Sequence, residues 1–129
     1  MIYLDTSVVL AQILVEDTKP PAWLWNETLI SSRLLEYEVW TRLNDRGLAD
    51  SHGEAARVLI GQTALLELSP PILERVLDPF PEPVRTLDAI HLASIDFLVR
   101  HGQSIQLASY DRRMLIAAGG MAINAVDLN

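Results

Sequence analysis

Short apolar runs alternate along the chain with longer stretches whose apolar residues recur at three- and four-residue spacing, so strands and helices are expected in turn. Residues 1–5, MIYLD, read as a short buried strand ending in an acid. Thr6 and Ser7 offer N-caps to an apolar helix from Val8 to Val15, which the segment Asp17 to Pro21 breaks. Ala22 to Glu27 reads as helical and carries Trp23 and Trp25. Leu29 and Ile30 form a second short strand, with Ser31 and Ser32 as caps for a helix from about Arg33 to Arg46 that stops at Gly47. Leu48 to Gly61 reads as another helix, with Ser51 as cap and Glu54 at capping-box spacing. Ala64 to Leu68 is a strand, and Ser69, Pro70 and Pro71 open a helix to about Val76, because proline is tolerated in the first turn.

Residues 78–83, DPFPEP, hold three of the 7 prolines and read as a stiff loop rather than a linker, since neither side could form its own core. Thr86 caps a helix from Leu87 to His101 that is apolar on most faces and therefore expected to be central, and Gly102 ends it. Ile105 to Tyr110 is a strand, Asp111 to Ala118 a helix, Gly119 and Gly120 a stop, and Ala122 to Val126 a last strand. This alternation predicts an α/β fold with a mostly parallel sheet, and 129 residues fit one domain, 1–129.

Composition narrows the chemistry. Half of the residues are hydrophobic and 21% are charged, enough apolar material for a core. No run of ~18 apolar residues suggests a membrane span. The N-terminus has no basic segment before its apolar run and carries Asp5 inside it, unlike a signal peptide. The absence of cysteine excludes disulfides, thiolate nucleophiles and cysteine–zinc sites, and the expected location is the cytoplasm. Ten basic against 17 acidic residues give −7. Lys19 is the only lysine, no Gly-Lys pair exists for a phosphate-binding loop, and Lys19 beside Pro20 and Pro21 is poorly placed for Schiff-base chemistry. So acidic a chain is a poor non-specific nucleic-acid binder. A nucleic-acid substrate would require positive charge from a metal or a basic partner.

Five acids fall near predicted strand ends or helix starts, where α/β sheets bind ligands. Asp5 ends the first strand, Asp111 follows the strand IQLASY, Asp88 lies in the first turn of the apolar helix, and Glu36 and Glu38 lie early in the helix after the second strand. Each has an ordinary explanation: Asp5 and Asp111 as caps, Asp88 as a first-turn acid, Glu36 and Glu38 as solvated residues. Being two apart on a helix, Glu36 and Glu38 point to different sides, and the apolar positions Leu34, Leu35, Val39, Trp40 and Leu43 do not decide between them. Together, however, carboxylates at one sheet edge repel unless a cation neutralises them. Without cysteine or paired histidine the donors would be oxygens, which select Mg²⁺ or Mn²⁺ and suit phosphodiester hydrolysis.

Of the remaining residues, His91 is read as a packed helix histidine, with orientation of Asp88 as its alternative role. His52 and His101 read as surface or cap residues and Asp96 as solvated. Thr6, Ser7 and Ser109 can cap helices or hydrogen-bond the acids, Arg112 and Arg113 read as helix-surface charge, and the tryptophans as core or interface anchors.

The stretches MIYLDTS, SSRLLEYEVWTRL, VRTLDAIHLASI and LASYDRRM, in this order, resemble the PIN-domain ribonucleases and, more narrowly, the VapC toxins of prokaryotic VapBC toxin–antitoxin pairs. The resemblance implies a five-stranded parallel sheet between helices and a metal-dependent endoribonuclease. It maps the family's acids onto Asp5, Glu38, Asp88 and Asp111 as catalytic, Mg²⁺- or Mn²⁺-binding residues. Ser109 stands where threonine is common, and Leu35-Glu36 replaces smaller residues, adding a second acid. The resemblance also implies a homodimer, a cognate VapB-type antitoxin or a heteromer with it, contact with operator DNA only through that antitoxin, and no membrane association. A receiver module fits less well, because ALLELSPP has no phospho-acceptor aspartate and no lysine follows the last strands. A haloacid-dehalogenase-like phosphatase fits less well too, since Ser7 stands where a second aspartate is needed. A PIN fold that binds RNA or a partner without cleaving ranks below the nuclease because all four acids are retained.

Overall fold

The computed structural model describes residues 1–14 and 18–129, so the predicted helix end at Val15 and the break beginning at Asp17 lie outside the described residues. Its elements are β1 (Ile2–Leu4), α1 (Thr6–Ile13), a short 3-10 helix (Ala22–Asn26), β2 (Leu29–Ser32), α2 (Arg33–Asp45), α3 (Ala49–Gly61), β3 (Ala64–Leu66), α4 (Pro70–Val76), α5 (Thr86–Arg100), β4 (Gln106–Ala108), α6 (Arg112–Gly120) and β5 (Asn124–Ala125). The 5-stranded sheet has the order β3-β2-β1-β4-β5. Every neighbouring pair is parallel, which bears out the predicted α/β architecture.

Strand alternation separates two cores. Ile2 and Leu4 point to one face, where Val8, Val9 and Ile13 of α1, Leu35, Val39 and Leu43 of α2, and Ala56 and Ile60 of α3 pack. Tyr3 points to the other, with Leu92, Ile95 and Leu98 of α5 and Met114, Ala117 and Ala118 of α6. The helix α5 lies against the sheet as expected, but Leu87 and Val99 are exposed, so its apolar surface is wider than its buried face.

Helix ends depart from expectation in specific ways. Asp5, not Thr6 or Ser7, occupies the N-cap position of α1, and both hydroxyl residues lie in its first turn. Ser32 does cap α2, its Oγ accepting from the Leu34 N–H at 3.1 Å. Ser51 lies inside α3 and donates to the Leu48 carbonyl, so no capping box forms. Thr86 is the first residue of α5 rather than its cap. Gly119 and Gly120 close the last turn of α6 instead of stopping it earlier, and the reversal falls at Ala122, with φ 60°. Gly47 (φ 68°) and Gly102 (φ 87°) follow α2 and α5 in the left-handed conformation that glycine adopts without a Cβ penalty.

Candidate active site

Parallel strands put all their carboxyl ends at one edge, and the chain delivers four acids there. Asp5 directly follows β1, and its N–H donates to the Ala108 carbonyl of β4 at 2.9 Å. Asp111 follows β4 and caps α6, Oδ1 accepting from the N–H groups of Arg113 at 2.9 Å and Met114 at 3.4 Å. The expected capping role of Asp111 is therefore real. Glu38 comes from the second turn of α2 and Asp88 from the first turn of α5. Asp5, Glu38, Asp88 and Asp111 line one cavity of about 500 Å³, with Thr6, Ser7, Arg42 and Tyr110 also on its wall. Glu36 does not line it; its carboxylate lies 3.6 Å from Arg33 Nη1 on the outer side of α2.

Hydroxyls and an imidazole hold two of these carboxylates. Asp5, only 5% exposed, accepts on Oδ2 from Ser7 Oγ at 2.6 Å and Ser109 Oγ at 2.8 Å. Those serines accept in turn from the N–H groups of Tyr110 at 3.0 Å and Asp111 at 2.9 Å, which ties the ends of β1 and β4 together. Glu38 Oε1 accepts from Thr6 Oγ1 at 2.8 Å and lies 2.5 Å from His91 Nε2. His91 is buried, and its Nδ1 lies 2.8 Å from Tyr3 Oη. The histidine is thus packed and hydrogen-bonded as expected, but the acid it holds is Glu38 rather than Asp88. Burial first, and then the charges of Asp111 and Asp5, push the Asp88 carboxyl above its usual range.

Elsewhere, Asp96 is not solvated: it pairs with Arg75 at 3.3 Å and Arg100 at 3.0 Å. His101 caps the end of α5 at the surface, and Arg112 and Arg113 are exposed. Trp25 and Trp40 pack partly against the first core, whereas Trp23 is largely exposed. Sequence reasoning passed over Tyr3, Arg42 and Tyr110. Arg42 had a local signal, since it stands one turn beyond Glu38 and shares its face. Tyr3 had none, because its partner His91 is 88 positions away.

The donor set suits a hard divalent cation, since every titratable side chain on the cavity other than Arg42 and Tyr110 is a carboxylate. Among the described residues no three acids or histidines already stand as a closed cage, so the side chains lining the cavity would have to converge on an ion.

This constellation, acids at the carboxyl edge of a parallel β3-β2-β1-β4-β5 sheet, is accompanied by a match to the PIN domain over residues 2–120. The chain belongs to the PIN-domain family. Within it the chain is of the VapC type: it is 34% identical over 130 residues to Ribonuclease VapC46 of Mycobacterium tuberculosis (strain ATCC 25618 / H37Rv), an alignment covering 96% of each protein.

Proposed function

We propose that this protein is a divalent-metal-dependent endoribonuclease acting as the toxin of a toxin–antitoxin pair. The observation that carries the reading is the convergence of Asp5, Glu38, Asp88 and Asp111 on one cavity. Asp5, Glu38 and Asp88 would hold Mg²⁺ or Mn²⁺, with Asp111 completing the set directly or through water. When bound, such an ion neutralises the approaching phosphate and supplies an acidified water for in-line attack on phosphorus. The residues of the chain orient that chemistry. Ser7 and Ser109 fix Asp5, Thr6 and His91 fix Glu38, and Arg42 offers a guanidinium on the cavity wall for a non-bridging phosphate oxygen.

The relative's name, ribonuclease, supports RNA as substrate, and its VapC designation supports a VapB-type antitoxin as partner. The net charge of −7 favours a basic inhibitory segment on that antitoxin, and the VapC-type reading adds operator DNA contact through the antitoxin alone and action in the cytoplasm. A homodimer, or a heteromer with the antitoxin, completes the proposal. No helix among the described residues is long and apolar enough to cross a membrane.

The test is cleavage of a labelled RNA pool. Excess EDTA is expected to abolish cleavage, Mn²⁺ to restore it, and Asp88→Asn to be inactive under both conditions. Undiminished cleavage in chelator would overturn the metal mechanism. Binding of RNA without cleavage in any metal would reduce the protein to an RNA-binding PIN fold.

A further inference from the structure

Two buried side chains, Tyr3 and His91, run from the second core to Glu38 on the wall of the acid cavity. Tyr3 and His91 are 0% and 1% exposed. Tyr3 comes from the central strand and His91 from the middle of α5, one turn beyond Asp88. The imidazole meets Tyr3 Oη at Nδ1 and Glu38 Oε1 at Nε2. The two rings pack edge to face, with centroids 5.8 Å apart and planes at 81°, so the imidazole cannot swing without disturbing the sheet. Thr6 Oγ1 reaches the same oxygen, Oε1, from α1. Glu38 Oε2 has no hydrogen-bond partner among the described residues, in a side chain that lines the cavity.

We propose that His91, backed by Tyr3, is a positioning residue that fixes the rotamer of Glu38, clamping Oε1 so that Oε2 faces the cation site. This rests on the metal-dependent reading above. A phenol is an O–H donor that ionises only at about pH 10, so Tyr3 keeps its hydrogen at neutral pH and can donate it across the 2.8 Å contact to Nδ1. With Tyr3 donating to Nδ1, the neutral imidazole carries its hydrogen on Nε2 and donates it to the carboxylate. The opposite tautomer would set a nitrogen lone pair against a carboxylate oxygen. Such a clamp matters because α2 alone leaves a glutamate several rotamers, and an ion gains little from a ligand it must first immobilise. The same logic explains why two serines converge on one oxygen of Asp5.

Two measurements on the full chain test this. Long-range ¹H–¹⁵N spectra of the metal-free protein are expected to show a hydrogen on His91 Nε2; an unprotonated Nε2 would overturn the clamp whatever the metal does. Titration with Mn²⁺ alone, by calorimetry, is expected to show weaker binding by roughly 10–100-fold for His91→Leu and several-fold for Tyr3→Phe. His91→Gln, which keeps an amide donor near the Nε2 position, should recover most of that loss. Tyr3→Phe removes one oxygen and serves if His91→Leu does not fold. Wild-type Mn²⁺ affinity in folded His91→Leu, or in Tyr3→Phe should His91→Leu not fold, would overturn the clamp and leave the metal reading standing. A wild-type chain that binds no Mn²⁺ would overturn both.

Discussion

Glu36 and Glu38 make a matched pair for testing the site, because either Glu→Gln change removes one negative charge from the chain's −7. Long-range steering of RNA is therefore altered alike in both variants. In Glu38→Gln the new amide oxygen can still accept from Thr6 and from His91, so the local geometry survives. Two bonds to a charged acceptor become bonds to a neutral one, a loss of about 1–2 kcal/mol in total. Relief of repulsion with Asp88 offsets part of it, since the Glu38 charge is among the causes that push Asp88 up. The melting temperature should then fall by less than about 8 °C. Losing one carboxylate ligand of the proposed cation, and with it part of the charge stabilisation that cation supplies, should cost on the order of 10²–10³ in cleavage rate. In Glu36→Gln the pair lost spans 3.6 Å between side chains about one-third exposed, and Arg33 keeps Glu67 at 2.6 Å. That change is worth about 0–1 kcal/mol and should leave cleavage within about twofold of wild type. The assay is initial cleavage rate on one fluorescent RNA at fixed Mg²⁺, beside circular-dichroism melts. Glu36→Gln as the more damaging change would refute the assignment of this helix to the site.

Two further outcomes follow from strain and charge. The pKa of Asp88 is raised above its ordinary 3.8, so its protonated form is favoured in the folded chain and its ionisation subtracts stability as pH rises through the folded value. Asp88→Asn should therefore melt higher than wild type at pH 7 without divalent ions, with the gap closing toward pH 4; a lower melting temperature at pH 7 would contradict the charge balance described. Ala122 holds φ 60° after α6, a conformation that costs an L-residue roughly 1 kcal/mol. Ala122→Gly should gain stability of up to about that size in urea unfolding, and a clear loss would show that the alanine methyl is packed rather than strained.

The alternation of short strands with amphipathic helices was legible because the two periodicities differ and because Gly47 and Gly102 mark two helix ends. Cap positions were less so. Thr6, Ser7, Ser51 and Thr86 are all good caps, yet Asp5, Leu48 and Arg85 hold those places, and Thr6, Ser7 and Ser51 spend their hydroxyls on Glu38, Asp5 and the Leu48 carbonyl. The choice between Glu36 and Glu38 shows why helical periodicity stalled. Counting Trp40 as fully apolar widens the stripe of α2 until both acids fall inside it. Trp40 is only partly buried, and the buried set is Leu34, Leu35, Val39 and Leu43. At 100° per residue Glu38 projects between Leu34 and Leu35, inside that narrower stripe, while Glu36 lies beyond its edge. The tertiary partners of Glu38 were invisible for another reason: Thr6 and His91 are 32 and 53 positions away.

The distribution of donors also explains how the fold tolerates so many acids at one sheet edge. Asp5 receives two serine hydroxyls, Glu38 a threonine hydroxyl and the His91 ring, and Asp111 two backbone N–H groups. Each bond offsets part of the desolvation of its carboxylate and uses one oxygen. Asp88 receives none among the described residues, and it is the acid that burial and the Asp111 and Asp5 charges push upward. If the cavity takes a divalent ion as proposed, that ion would relieve the unfavourable charge of Asp88. On the metal-dependent reading proposed above, the same imbalance that costs stability in the free chain would favour loading of the site, through the one acid of the four that has no hydrogen-bond partner among the described residues.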